Sequence, residues 1–343
     1  MKQDELEQKV TGLFERQGFE VKKKGNVLIA ENDNKLELNV FSSEKFSDEE
    51  VLKNIEKGQK VFVDEGLEIV KNSIENDISV LNEEKEEPEY ETPSYEVIGD
   101  IAVINDLVDI EKNEAVDGIL HHQPSIKTIL LKEEGLSGEF RVGDYQKLYG
   151  EETETIHKEH GCRYKVDPTK MYFSERFATE RERVISKIEN GENVLVMFAG
   201  VGPFAIMAAR NANPEKVVAI EKNPEGASFL KDNIELNKVE DVVEGFEGDV
   251  KDVLSDLEMK FDRVIMPLPG SANKFLSLAM NQTKKDGIIH YYRFLEDKSW
   301  SRIENEIEST AKSVGREFEI NNRTICGQRA ANIDGVFFDL EIK

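Results

Sequence analysis

The sequence runs to 343 residues, 38% of them hydrophobic, with a formal net charge of −25 and a pI near 4.7. That length allows two or three packed domains, and with neither a signal-peptide pattern nor an apolar run approaching the roughly 18 residues of a membrane span, a cytoplasmic protein without a membrane partner is expected. Taken alone, the acidic balance argues against a nucleic-acid binder, and no DNA partner is expected, although a local basic face can still grip phosphates.

Residues 1–80 read as a small N-terminal accessory α/β domain. Leu6, Val10, Leu13 and Phe14 lie at helical spacing within Glu5–Gln17. Phe19–Val21, Asn26–Ala30 and Lys35–Phe41 read as short strands, and Ser47 opens a second helix. A further strand is expected at Val61 and a helix over Leu67–Ile74. Residues 81–94 are crowded with acids, carry two prolines and read as a linker.

From Tyr95 to residue 170 the pattern is that of an α+β domain. A strand is expected over Glu96–Asn105, a helix over Ala115–His121 and a strand over Thr128–Leu131. Gly138–Tyr149 and Thr155–Val166 read as strands or a hairpin. This stretch mixes basic and aromatic groups, among them Tyr145, His157, Lys158, Arg163 and Lys165. Such a mixture suits phosphate contact and base stacking in RNA, and equally a solvated hairpin face. Cys162 and Cys326 fit neither a disulfide framework nor a metal cluster, and no metal site is expected.

Residues 171–343 read as a doubly wound α/β domain. A helix capped by Ser174 is expected to run to about Ile188, with Arg176 and Glu180 on one face. A carboxylate flanked there by arginines is either a surface ion pair or a general base. The buried strand Val194–Met197 then enters Phe198-Ala-Gly-Val-Gly-Pro203, and a helix follows from Phe204 to Asn211. Gly200 and Gly202 permit a tight turn and close approach to a ligand, and the helix start leaves free N–H groups. A second strand ends in Glu221, a carboxylate able to accept from both hydroxyls of a ribose, with Asn223 just beyond. A third, near Val242–Phe246, ends at Asp249, within reach of an adenine amino group. A fourth, Phe261–Met266, enters the turn Pro267-Leu-Pro269. Helices Pro224–Asn237, Ser271–Gln282 and Ser301–Val314 and strands Gly287–Phe294, Phe318–Cys326 and Gly335–Ile342 complete the sheet.

The order glycine turn, acid, acid, proline turn resembles the ladder of a class I methyltransferase using S-adenosyl-L-methionine (AdoMet). Three more stretches, Tyr95–Asp106, Thr155-Ile-His-Lys-Glu-His-Gly-Cys-Arg-Tyr-Lys-Val166 and Tyr172–Arg183, resemble the archaeal and eukaryotic tRNA (guanine-N1)-methyltransferases. The resemblance covers roughly Tyr95 to Lys343. It implies a Rossmann-like catalytic domain preceded by an RNA-positioning domain, a monomer, and methylation of guanosine 37 in the anticodon stem-loop of tRNA. Glu180 matches the family's general base, Arg141 an arginine that stabilises charge on guanine O6, and Tyr172 and Arg176 residues near cofactor and base. Phe198, Gly200, Gly202, Pro203, Glu221, Asn223, Asp249, Pro267 and Pro269 match the cofactor site.

Pro267 stands where the family often carries asparagine, so backbone carbonyls must serve there. The segment from Arg323 lacks the family's Tyr-Ala-Pro, and residues 1–80 do not clearly match its N-terminal domain. Alternatives are a wyosine-pathway transferase, moving AdoMet's aminocarboxypropyl group or methylating a tricyclic precursor, and a non-catalytic RNA- or AdoMet-binding protein.

Overall fold

The computed structural model describes residues 20–24, 27–31, 37–41, 61–62, 68–69, 91–133, 143–268, 270–330 and 332–343. The chain divides into two compact units, Met1–Glu89 and Tyr90–Lys343. In the first, β1 (Glu20–Lys24), β2 (Val27–Glu31) and β3 (Glu37–Phe41) form an antiparallel sheet in sequence order, and β4 (Val61–Phe62) pairs antiparallel with β5 (Glu68–Ile69). Within the helix expected over Leu67–Ile74, the described residues Glu68 and Ile69 are strand instead. Ile69 pairs with Val61, and cross-strand pairing of branched residues overrides a weak helical spacing. The helices expected at Glu5–Gln17 and after Ser47 lie outside the described residues.

The second unit opens with a four-stranded sheet in which β6 (Tyr95–Ile98) and β7 (Ile101–Ile104) turn at Gly99-Asp100. The single strand expected here is thus a hairpin, because Gly99 takes a left-handed φ of 62°. Helix α1 (Lys112–His122) returns the chain to β8 (Thr128–Lys132), parallel to β7, and β9 (Tyr145–Tyr149) closes the sheet antiparallel. Ala115 and Ile119 of α1 pack on Ile104 and Ile129.

Strands β10 (Thr155–Glu159) and β11 (Cys162–Val166) form a hairpin whose two turn residues, His160 and Gly161, both have positive φ, as a tight two-residue turn requires. Cys162, Tyr164 and Val166 point inward at period two. A short 3-10 turn (Glu175–Phe177) then precedes α2 (Ala178–Ile185). The capped helix expected from Ser174 is thus shorter. The Ser174 side chain makes no cap bond; its carbonyl accepts instead from Arg181 at 3.2 Å.

The remaining elements alternate: β12 (Asn193–Met197), α3 (Pro203–Asn211), β13 (Lys216–Glu221), α4 (Pro224–Asn237), β14 (Val243–Glu247), α5 (Val250–Asp256), β15 (Phe261–Met266), a 3-10 turn (Ala272–Phe275), α6 (Leu276–Gln282), β16 (Thr283–Glu296), α7 (Trp300–Val314), β17 (Phe318–Ala330) and β18 (Ile333–Ile342). They build a seven-stranded sheet in the order β14-β13-β12-β15-β16-β18-β17. The first five strands are parallel, and β18 runs antiparallel between β16 and β17. Strands this apolar must be covered on both faces. Val194 and Val196 of β12 join one core, with Phe204 and Phe337, while Leu195 and Met197 join the other, with Leu254 and Met280. The strand order reverses between β12 and β15, and such a switch point opens a crevice at the carboxyl ends of the strands.

Helix α4 also lies along the outer edge of β11. Asn233 accepts from Lys165 N at 2.6 Å and donates to Lys165 O at 2.9 Å and to Val201 O at 3.1 Å. Asn237, one turn on, accepts from Arg163 N at 2.9 Å and donates to Arg163 O at 2.6 Å. Two side-chain amides thus take the place of a neighbouring strand.

Candidate active site

The crevice begins where β12 ends. Phe198, Gly200 and Gly202 all have left-handed φ, of 60°, 56° and 90°. A bulky residue there costs about 1–3 kcal/mol and persists only where the surroundings enforce it, often at functional sites. At Gly202 a Cβ would stand 2.5 Å from Leu230 Cδ1, so only glycine fits. At Gly200 the nearest atom to such a Cβ is the Tyr172 carbonyl at 3.8 Å, so the space above the loop is open.

Glu221, at the tip of β13, holds the loop. One carboxylate oxygen accepts from Gly200 N and the other from Asn223 N, each at 2.7 Å. Burial pushes its carboxyl up, against the pull of these N–H groups. Asn223 caps α4 by accepting from Glu225 N at 3.1 Å. Asp249 caps α5 through Lys251 N at 3.0 Å and pairs with Lys222 at 3.0 Å. The Lys251 N–H, with the Lys222 charge behind it, holds the Asp249 carboxyl below its ordinary value. These acids share a cavity with apolar walls from Phe198, Val250, Leu268 and Phe275, and the Phe198 and Phe275 rings meet edge-to-face at 4.9 Å.

A second cavity adjoins the first across Met171–Ser174, which line both. Its other walls come from the four-stranded sheet (Glu96, Lys132, Tyr145) and from Tyr292 and Phe294 of β16. Arg176 lines this cavity, not the first, and pairs with Glu96 at 2.6 Å. Tyr172 sits at the shared wall and is 36% exposed, placed to touch occupants of either cavity.

Two buried ion-pair systems flank the cavities. Arg181, which lines the first, donates to Glu159 of β10 through Nε at 2.6 Å and through its second nitrogen. Burial alone would raise the Glu159 carboxyl, but bonds from Arg181 and His157 outweigh it and hold it at about 2. On the far side of α2, Glu180 is 4% exposed and lines neither cavity. It accepts from Arg183 Nε at 2.6 Å, and Arg183 turns its other edge to Asp339 at 2.7 and 3.1 Å.

The family model for the TRM5/TYW2 methyltransferase domain matches residues 155–320. The Trm5b tRNA (guanine(37)-N(1))-methyltransferase of Pyrococcus abyssi is 39% identical over 267 residues, which span 77% of this chain and 79% of that protein. This chain belongs to the TRM5/TYW2 methyltransferase family. Another member, a tRNA(Phe) (4-demethylwyosine(37)-C(7)) aminocarboxypropyltransferase of Methanocaldococcus jannaschii, is 38% identical over 205 residues, 60% of this chain and 79% of its own. The crystal structure of P. abyssi Trm5b superposes with a TM-score of 0.67 at 29% identity, covering 98% of this chain and 96% of that one. The fold is that of a class I methyltransferase, and the cofactor of the TRM5/TYW2 family is AdoMet, as in the crystal structure of M. jannaschii TYW2 in complex with AdoMet (TM-score 0.58 at 29% identity, covering 73% of this chain and 99% of that one).

The first cavity fits that cofactor. Each Glu221 oxygen has accepted one N–H and keeps an acceptor site for a ribose hydroxyl. The open space over Gly200 admits a close backbone approach, and the phenylalanine pair offers an apolar wall to a purine. Phe198, Gly200, Pro203, Glu221, Asn223, Asp249 and Pro267 all line it, while Gly202 shapes its turn. Pro269 and Arg141 lie outside the described residues.

Of the basic hairpin residues, Arg163 is exposed and bonds Leu236 O at 3.0 Å, and Lys165, partly exposed, pairs with Glu154 and Asp232 at the surface. Lys158 is exposed, His157 stacks near Phe173, and Tyr145 lines the second cavity. Arg181 and Phe275 were missed in the sequence. The run Arg176–Arg183 held the signal for Arg181, since an arginine one position after Glu180 points about 100° around the helix from it. Among the described residues no group of His, Cys, Asp or Glu is placed to hold a metal, and no helix is long and apolar enough to cross a membrane.

Proposed function

We propose that this protein methylates N1 of guanosine 37 in the anticodon loop of tRNA, with AdoMet as methyl donor. The observation that carries the reading is the pair of cavities meeting at Tyr172, one fitted to a nucleoside cofactor and one set between the two sheets. When bound, AdoMet supplies an electrophilic methyl carbon on a positively charged sulfur. Guanine N1 is a poor nucleophile while protonated, and its deprotonation spreads negative charge to O6. Glu180 takes that proton as general base, and the role proposed for Arg141 is to stabilise the charge developing on O6. Residues 95–170 position the RNA, with Tyr145, His157 and Lys158 as contacts, and residues 171–343 hold the cofactor. The protein acts as a cytoplasmic monomer.

Incubation with AdoMet and unmodified tRNA bearing guanosine 37, followed by nucleoside mass spectrometry, tests this. A gain of one methyl at N1 is the expected result. The M. jannaschii aminocarboxypropyltransferase favours one rival, because it shares the family at similar identity. An aminocarboxypropyl adduct on a precursor base would move the protein to that branch. AdoMet binding without product on either RNA would overturn both. Glu180→Gln should cut turnover at least a hundredfold, the low end of what a general base contributes, and leave AdoMet affinity within twofold by calorimetry.

A further inference from the structure

The resting place of Glu180 poses a chemical problem, because burial disfavours the charged form that a base must have. Burial does push its carboxyl up, and Asp339 adds to the rise, while Arg183 and Lys187 pull against it. The geometry behind Arg183 is unusually complete. Asp339 on β18 is 2% exposed and receives Arg183, Lys187 at 2.6 Å and His290 Nδ1 at 2.7 Å. His290 on β16 is fully buried, and its Nε2 stands 2.9 Å from Arg263 on β15. A guanidinium only donates, so Nε2 is the acceptor and the proton sits on Nδ1, facing Asp339. Arg263 is fixed in turn by Glu192 and by the Lys187 carbonyl. Four elements therefore converge on one task, which is to hold the Arg183 guanidinium against Glu180.

We propose that Arg183, anchored by Asp339, is a positioning residue that stores the Glu180 carboxylate in ionised form, ready to accept a proton when substrate draws it toward the cavities. The inference rests on the assignment of Glu180 as the base. Arg183 touches neither cavity, so it acts through Glu180 alone. Asp339 has two opposed effects: it orients Arg183, and as a like charge it raises Glu180. The charged groups facing Glu180 are Arg183 from α2, Lys187 just past its end and Asp339 from β18, with neutral His290 behind Asp339. Burial holds that histidine down at about 4, so it stays neutral across the assay range.

The test is the single-turnover rate on tRNA bearing guanosine 37, measured across pH, for the wild type and for Arg183→Gln, Arg183→Lys and Asp339→Asn. Removing an opposite charge at this range moves a carboxyl by about one to three pH units. Arg183→Gln should therefore shift the acid limb upward by at least about one unit, a tenfold loss at a pH on the wild-type limb, and recover at high pH. Asp339→Asn loses the anchor and the like charge together, so its limb should move less far upward than that of Arg183→Gln. Arg183→Lys keeps the charge without the fork and should leave the limb in place. A uniform loss at every pH, an Asp339→Asn limb displaced upward as far as that of Arg183→Gln, or a lysine limb displaced as far as the glutamine limb would overturn the proposal. Should Arg183→Gln fail to fold, a lysine limb displaced from the wild type by about one unit or more would still overturn it. Wild-type turnover in Glu180→Gln would instead remove the base assignment itself, and calorimetry on AdoMet separates either failure from a lost cofactor site.

Discussion

Glu159→Gln removes one charge from a pair whose side chains are only 3% and 6% exposed, and leaves the Arg181 guanidinium buried against a neutral amide. Two routes give the cost. Breaking a buried ion pair from one side typically destabilises by about 3–5 kcal/mol. Independently, the Glu159 carboxyl lies at about 2 in the fold against 4.5 when free, a difference worth about 3 kcal/mol at neutral pH. A depressed carboxyl contributes in full above its unfolded value, so the stabilisation is complete above pH 4.5 and is lost as pH falls toward about 2. Urea titration followed by the fluorescence of Trp300, the single tryptophan, reads the unit that contains the pair. The expected gap between wild type and variant is about 3 kcal/mol at pH 7, narrowing steadily below pH 4.5. A gap under about 1 kcal/mol, or one that keeps its size down to pH 3, would refute the reasoning. Adding Arg181→Met to Glu159→Gln should restore much of the loss, because an apolar pair of similar volume replaces a buried charge pair at little cost.

Gly202→Ala and Gly200→Ala both force a left-handed alanine, but the first also meets Leu230 and should lower the thermal midpoint further, whereas the second fills the open space over the loop and should weaken AdoMet binding more, a contrast readable by scanning and titration calorimetry. Glu221→Gln turns an amide NH2 toward a backbone N–H it cannot pair with, at Gly200 or Asn223, and should weaken AdoMet at least about tenfold, the equivalent of one lost hydrogen bond. Asn233→Ala exposes an unsatisfied donor and acceptor on Lys165 and should cost about 1–3 kcal/mol in urea unfolding. Asn233→Asp keeps only the acceptor and should fall between.

The central sheet was legible because its chemistry is local. Apolar runs such as Val194–Met197 and Phe261–Met266 stop at glycine, acid or proline, and Asn223 and Asp249 announce the helices they cap. Helix α5 escaped notice because two turns carry too little periodicity, and the Gly99-Asp100 turn was hidden inside an apolar run. Arg176 and Glu180 share a spacing but not a destination: a 3-10 turn intervenes, and each finds a different partner. The partner that defines the surroundings of Glu180 is Asp339, 156 residues beyond Arg183, and no local pattern reports such a distance. Residue type marked Arg163 and Lys165 as basic surface groups but could not report the α4 partners, Leu236 O and Asp232, that they also meet.

The amide pairs of Asn233 and Asn237 carry a consequence for self-association. A two-stranded hairpin leaves an outer edge of N–H and C=O groups, the template on which strands of other molecules add. An asparagine side chain offers one acceptor and two donors, so it can close both bonds of a strand residue without being a strand. Helix α4 therefore occupies the edge of β11 without extending the sheet or offering a fresh edge beyond it. In a crowded solution the β11 edge of the hairpin has nothing left to share with another copy of itself.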